Sequence, residues 1–138
     1  VSIVIRQHRF SEKIKSQENI LKSNIFLKNT FDYVFKAVEI IKTKVNNPKF
    51  FIFSNDTSNL ENIFDKHNFD IIHHNNYKAI NDFYLSTLCK HFIVGPSTFH
   101  WWSAYLSKNL NKICIRPTDN ISFSSNSDIY PDNWLKIE

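Results

Sequence analysis

The 138 residues carry a formal net charge of +4, with 42% hydrophobic and 22% charged residues; this is the balance of an ordinary globular protein, in a chain long enough for one domain to bury a core without staples. No apolar run approaches the roughly 18 residues that a membrane span requires, and the basic residues, nearly all Lys, are scattered rather than clustered, which argues against a nucleic-acid footprint. Cys89 and Cys114 are too few for a zinc site or a disulfide framework and read as reduced core residues of a cytoplasmic protein.

Taken in order, five short apolar runs read as buried parallel strands: Val1–Arg6, Lys49–Ser54, Phe69–His73, His91–Val94 and Lys112–Arg116. The first begins at residue 1 of a chain without Met, so a piece of a longer protein is expected. Phe10–Lys28 is polar and rich in Lys, Ser and Asn, and is expected to form a long surface loop. From Asn29 to about Val45 the residues Phe31, Val34, Phe35, Val38, Ile41 and Val45 recur at helical spacing, and Asn46-Asn47-Pro48 stops the pattern. Ser58–His67, Asn81–Cys89 and Ser97–Ser107 are three further expected helices. Thr118–Asn133, rich in Ser, Asn and Asp, reads as an irregular tail ending at Trp134-Leu135-Lys136-Ile137. Strands alternating with helices imply an α/β fold, a Rossmann-like parallel sheet with helices on both faces.

In such sheets ligands bind beyond the carboxyl ends of the strands, so the residues just past each strand carry the functional information. The only Arg residues, Arg6, Arg9 and Arg116, fall at or just beyond the ends of strands one and five. Planar guanidinium donors suit phosphate or carboxylate, although ordinary salt bridges remain open for each. The sole glycine opens Gly95-Pro96-Ser97-Thr98-Phe99, immediately before an expected helix. Gly95 permits an unusual backbone angle or a close ligand approach, and Ser97 is a natural N-cap. The helix start would present amide N–H groups and hydroxyls to an anion. Together with Arg6 on the same rim, this favours a diphosphate.

Two roles stay open for Asp82, at the start of the Asn81–Cys89 helix: N-cap, or acceptor for the N1–H and N2–H₂ edge of guanine. Asp56 could cap the next helix or bind a ribose hydroxyl. Trp101, Trp102, Tyr105 and Leu106 lie at helical spacing and are expected in the core. His73-His74 has no Asp, Glu or Cys at ligand spacing, and no metal is expected there.

Phe50-Phe51-Ile52-Phe53-Ser54-Asn55-Asp56, Asp82-Phe83-Tyr84-Leu85-Ser86-Thr87-Leu88-Cys89-Lys90-His91 and Pro96-Ser97-Thr98-Phe99-His100-Trp101-Trp102-Ser103-Ala104-Tyr105-Leu106 together resemble the bacterial α-1,2-fucosyltransferase family, glycosyltransferase family 11. The resemblance implies the C-terminal, donor-binding domain of a two-domain GT-B enzyme, with the acceptor-side half preceding Val1. It implies GDP-fucose as donor, a glycan acceptor, no metal or other cofactor, inversion at the sugar, and a role in surface glycan or lipopolysaccharide synthesis. The setting it implies is cytoplasmic, at most peripheral to the inner face of the membrane, with no nucleic-acid partner.

Position by position, Arg6 matches the family's catalytic phosphate-binding arginine, Asp82 its guanine-reading aspartate, and Ser97 and Thr98 its diphosphate hydroxyls, with Phe99 beside them. Asp56 and Arg9 are further candidate donor-site residues of this chain without a family match, Arg9 as a partial replacement for the charge of the missing second Arg. The family's first motif usually reads His-x-Arg-Arg-Gly-Asp. Here Val4, Gln7, His8 and Arg9 replace the His, the second Arg, the Gly and the Asp around Arg6. A GT-B transferase with another sugar nucleotide, or a catalytically impaired nucleotide-binding domain, is therefore the alternative. No general base stands out.

Overall fold

The computed structural model describes residues 1–73, 76, 78–118 and 129–137. The five apolar runs form strands: β1 (Ser2–Ile5), β2 (Phe50–Ser54), β3 (Phe69–Ile71), β4 (Phe92–Ile93) and β5 (Cys114–Arg116), joined at one edge by β6 (Leu135–Lys136). All pairings are parallel, in the order β3-β2-β1-β4-β5-β6. β1 is central, with Ile3 opposite Ile52 on one side and Ile93 on the other.

Strand alternation divides the core in two. Ile3, Ile5, Ile52, Ile93 and Ile115 pack under α1 (Gln17–Lys44), against Val34, Ala37, Val38 and Ile41. Phe92, Val94 and Cys114 pack on the other face with Ala104 of α3 (Thr98–Leu106), Tyr130 and Trp134. Fully burying each such aliphatic or aromatic side chain is worth about 1.5–3 kcal/mol, which is why these short runs suffice to fix the sheet. The helix α2 (Ala79–Thr87) packs along α3. The chain steps from β1 through β2 to β3, then returns to place β4 on the opposite flank of β1. Crossovers that leave β1 in opposite directions put α1 on one face and α3 on the other, and the Rossmann-like α/β fold follows. Its topological switch point lies between β1 and β4.

The long loop expected over Phe10–Lys28 is a correction. From Gln17 onward that stretch is the first half of α1, capped by Ser16, whose side chain accepts the Asn19 N–H at 3.1 Å. The pairs Lys22–Glu18 and Lys28–Asp32 line its solvated face at i,i+4. Once Phe31–Ile41 is packed on the sheet, extending a helix backwards costs little, because nucleation has already occurred. The helix ends at Lys44, and Asn47, at φ 51°, turns the chain into Pro48.

The helix expected over Ser58–His67 is also corrected, to a short 3₁₀ turn at Leu60–Asn62. Asp65 explains its brevity: its carboxylate accepts the N–H groups of His67 and Asn68, a local arrangement that competes with helix. Leu60 and Phe64 are nevertheless buried against α1. Just beyond the stretch expected to be irregular, Leu135 and Lys136 pair with β5 as a sixth strand; residues 119–128 of that stretch lie outside the described residues. Of the aromatic block on α3, Trp101 is half-buried and donates its indole N–H to Ile129 O at 3.0 Å. Trp102, Tyr105 and Leu106 are about half exposed, so the core expected for all four is corrected to Trp101 alone. Cys114 is buried and Cys89 half-buried, and both are free thiols. No helix among the described residues is long and apolar enough to cross a membrane.

Candidate functional site at the carboxyl ends of the strands

Arg6 directly follows β1. Its Nη2 donates to both carboxylate oxygens of Glu12, at 2.9 and 2.7 Å, in a half-exposed ion pair. A carboxylate thus occupies one corner of the guanidinium, as a phosphate oxygen could.

The next residues are held by neighbouring loops. Gln7 is buried: its N–H donates to Asn55 Oδ1, its amide Nε2 donates to Asp56 O and Ser58 O, and Asn55 Nδ2 donates back to Gln7 O. A neutral amide here zips the loop after β1 to the loop after β2. His8 has φ 58°, the left-handed region, at the position where the resembling family carries Gly. Its Nε2 lies 3.0 Å from Asp56 Oδ2, while Asp56 Oδ1 accepts the Ser58 N–H at 2.8 Å. These contacts hold the Asp56 carboxyl below its usual range, the Ser58 hydrogen bonds foremost and His8 next. Asp56 therefore closes the turn at Ser58 and does not cap a helix, since the short 3₁₀ element after it has Asn59 at its N-cap with no side-chain cap bond; both Asp56 oxygens are engaged.

Arg9 donates through Nη1 to Pro96 O at 2.7 Å and lies over the Phe26 ring at 4.7 Å. Burial, then the nearby Arg6 charge, lowers its pKa from the usual guanidinium value. It ties the loop after β1 to the turn after β4. Arg116, at the end of β5, stacks over Tyr130 at 4.8 Å. His73 pairs with Glu61 at 3.4 Å, and His74 lies outside the described residues. Among the described residues no three His, Cys, Asp or Glu side chains group as metal ligands would.

The turn after β4 is shaped by close packing. A Cβ on Gly95 would meet Val4 O at 2.6 Å, so the glycine is required by the approach of this turn to β1, and its φ is not positive. Neither the unusual backbone angle nor the close ligand approach considered from sequence accounts for it. Ser97 is the N-cap of α3, as its position in the sequence suggests, and its Oγ accepts the His100 N–H at 3.2 Å. The N–H groups of Thr98 and Phe99, in the first turn, have no acceptor among the described residues. They sit at the positive end of the helix.

Asp82 is buried in the first turn of α2, whose N-cap is Lys78, so the capping role considered for Asp82 does not apply. A pocket of about 100 Å³ opens at the switch point, lined by Arg6, Asp82, Ser97 and Phe99 together with Ala79 and the strand ends Val4–Ile5 and Phe53–Asn55. It brings together four of the residues singled out in the sequence and leaves Thr98, Asp56 and Arg9 outside its lining. Phe99 packs edge-on against Phe83 at 5.4 Å and forms one wall. The pocket is smaller than a complete ligand site, which typically measures about 300–1,000 Å³, so it can seat one part of a larger ligand.

A larger cavity of about 570 Å³ lies at the opposite, amino ends of the strands, bordered by Val1, Phe51, Leu85 and Leu88. It contains none of these polar groups. The smaller pocket is the candidate site, because charge, hydroxyls and a helix start converge there.

Sequence reasoning overlooked Ser2, Ser86, His100 and Ser103, which are fully buried beneath this pocket. Their signal was available as polar residues at core positions of a strand and two helices.

Comparison with known proteins supplies the rest. The chain is 29% identical over 109 residues to an O-antigen biosynthesis glycosyltransferase, WbnK, of Escherichia coli, covering 77% of this chain and 36% of that protein. It is 28% identical over 112 residues to an alpha-1,2-colitosyltransferase of Escherichia coli, covering 77% of this chain and 38% of the relative. It thus spans a little over a third of the length of these curated relatives. No solved structure matches. Residues 5–138, nearly the whole chain, match the glycosyl transferase family 11 profile, and the chain belongs to that family.

Proposed function

We propose that this chain is the donor-binding region of an inverting, GT-B-type glycosyltransferase that moves fucose from GDP-fucose to a sugar hydroxyl of a surface glycan, with the acceptor-side half preceding it in the longer protein. The observation that carries the reading is the convergence of Arg6, Asp82 and Ser97 on one pocket at the β1/β4 switch point. Asp82 supplies a carboxylate for the donor edge of guanine. Arg6, the Ser97 hydroxyl and the Thr98 and Phe99 amides supply donors for the diphosphate, with the Thr98 hydroxyl beside them. Ser97 Oγ accepts the capping bond and keeps its own proton to give.

In the reaction the acceptor hydroxyl oxygen bonds to the anomeric carbon and gives up its proton to a general base other than these residues or to solvent, as the carbon–oxygen bond to the diphosphate breaks and GDP leaves with the electron pair. Charge grows on the leaving phosphate, so donors fixed before the reaction stabilise the transition state more than the ground state. In this reading protein groups perform that neutralisation without a metal. Glu12 must release Arg6 as the diphosphate arrives. Asp56 and Arg9 act from the rim, Asp56 within reach of a ribose only if His8 yields, and Arg9 through Pro96. Such an enzyme would work at the cytoplasmic side of the membrane, at most peripherally.

The relative named as a colitosyltransferase favours a second reading, in which the same site takes a related deoxysugar on GDP. Transfer assays of the intact protein with GDP-fucose and GDP-colitose decide. Fucosyl transfer supports the first reading and colitosyl transfer alone the second. Turnover of neither, with GDP bound, would mark an impaired domain.

A further inference from the structure

Beneath the pocket lies a closed chain of hydrogen bonds among fully buried side chains from β1, α2 and α3. The Gly95 N–H donates to His100 Nδ1 at 2.8 Å, and His100 Nε2 lies 3.1 Å from Ser2 Oγ. Ser2 Oγ lies 2.7 Å from Ser86 Oγ, Ser86 Oγ lies 3.0 Å from Ser103 Oγ, and Ser103 Oγ donates to His100 O at 3.0 Å. The direction of the chain can be worked out from one end. A backbone N–H can only donate, so Nδ1 accepts and carries no proton. The proton of the neutral ring is therefore on Nε2 and is given to Ser2. Ser2, having accepted, donates to Ser86; Ser86 donates to Ser103; Ser103 closes on the His100 carbonyl. Every member is satisfied, as a buried polar network requires.

Each strand or helix in this chain also carries one of the pocket residues. β1 runs from Ser2 to Ile5 and leads directly into Arg6, Ser86 follows Asp82 by one turn of α2, and His100 lies one turn after Ser97, the N-cap of α3. The turn bearing Gly95 lies close against the Val4 carbonyl, with no room for a Cβ between them, and is bonded to His100. The Gly95 N–H is thereby committed inward, which leaves the Thr98 and Phe99 amides as the outward donors of the helix start.

We propose that His100, through its bond to the Gly95 N–H, is the positioning residue of the anion site: it sets the Gly95–Ser97 turn so that the α3 amides face the same ligand as Arg6. The inference rests on the diphosphate reading above and goes beyond it by assigning a role to a residue that touches no substrate.

The test separates the bond to Gly95 from the bond to Ser2. In His100→Asn the side-chain oxygen takes the place of Nδ1 and can still accept from Gly95, while the reach to Ser2 is lost. His100→Phe loses both. Ser86→Ala breaks the chain beyond Ser2, between Ser2 and Ser103, and leaves both bonds of the His100 ring in place. Binding of inorganic pyrophosphate and of GDP to the intact protein is measured by calorimetry, beside the melting temperature and the ¹⁵N spectrum of His100.

The expected spectrum shows a protonated Nε2 and a bare Nδ1. All three variants should melt below the parent. Only His100→Phe should lose pyrophosphate affinity by tenfold or more, with His100→Asn and Ser86→Ala staying within about threefold. Equal losses in His100→Asn and His100→Phe, a folded His100→Phe with parental affinity, or a proton on Nδ1 would each overturn the proposal. If His100→Phe does not fold, a tenfold loss in His100→Asn overturns it, and retained affinity there beside a lowered melting temperature supports it. A parent that binds pyrophosphate but not GDP refutes the guanine reading alone, whereas one that binds neither refutes the site and this proposal together.

Discussion

Arg6 concentrates the argument at the scale of single residues, because its neighbours differ from the family pattern while it does not. If two guanidinium edges act on the diphosphate, Arg6→Lys keeps the charge but loses the planar geometry, and kcat/KM of the intact enzyme should fall. Arg6→Ala should fall further, by about 3 kcal/mol in activation energy, the size typical of removing one transition-state donor. Neither should shift the melting temperature much, since the side chain is half exposed. The Glu12 contact adds a converse expectation. Glu12→Gln removes the competing charge from Arg6 and should tighten GDP several-fold in a titration at low salt, the gain shrinking as salt screens it. Much of the pocket was legible in the sequence: Arg6, Asp82, Ser97 and Phe99 were singled out from strand ends and helix starts, and they share one lining. The ties of Arg9 to Pro96 and of His8 to Asp56 were not legible, because they join residues 87 and 48 positions apart. No local pattern encodes such pairs.

Among the elements, the strands were readable because burial on both faces demands continuous apolar runs. The helix α1 was half readable. Its packed half shows helical spacing, whereas its solvated half has the polar composition of a loop and no apolar period. One neglected signal was the lack of any Gly or Pro between Arg9 and Asn47. The edge strand β6 had no signal, since both its residues are exposed and its pairing depends on β5. The capped start of α1 makes a test. Ser16→Ala should raise amide exchange across Gln17–Ser23 and cost about 0.5–2 kcal/mol, at the low end because that half of the helix is largely exposed and frays locally. Unchanged exchange there would show that the cap contributes nothing.

At the scale of the whole molecule, buried His100 links stability to pH. Burial pushes its pKa from the usual imidazole value down to about 3. The unfolded chain therefore binds a proton below about pH 6.5 that the folded chain refuses, so stability is complete above that pH and is lost as pH falls towards 3. The slope is about 1.4 kcal/mol per pH unit, so roughly 2 kcal/mol should disappear between pH 7 and pH 5 in urea unfolding. In His100→Asn that part of the slope should vanish. The acidic Asp56, held low by Ser58 and His8, adds its own loss only as pH falls through the ordinary carboxylate range, so the His100 effect begins first, at higher pH. In the proposed function a guanine nucleotide spans the switch-point pocket and extends beyond it, held at one end by Asp82 and at the other by Arg6 and the start of α3. The direct measurement is calorimetric titration of the intact protein with GDP, UDP and ADP, repeated on Asp82→Asn. GDP should bind more tightly than UDP and ADP, and Asp82→Asn should weaken GDP by on the order of 1–3 kcal/mol while leaving UDP and ADP unchanged. Equal binding of the three nucleotides by the parent protein, or a guanine preference that survives Asp82→Asn, would contradict it.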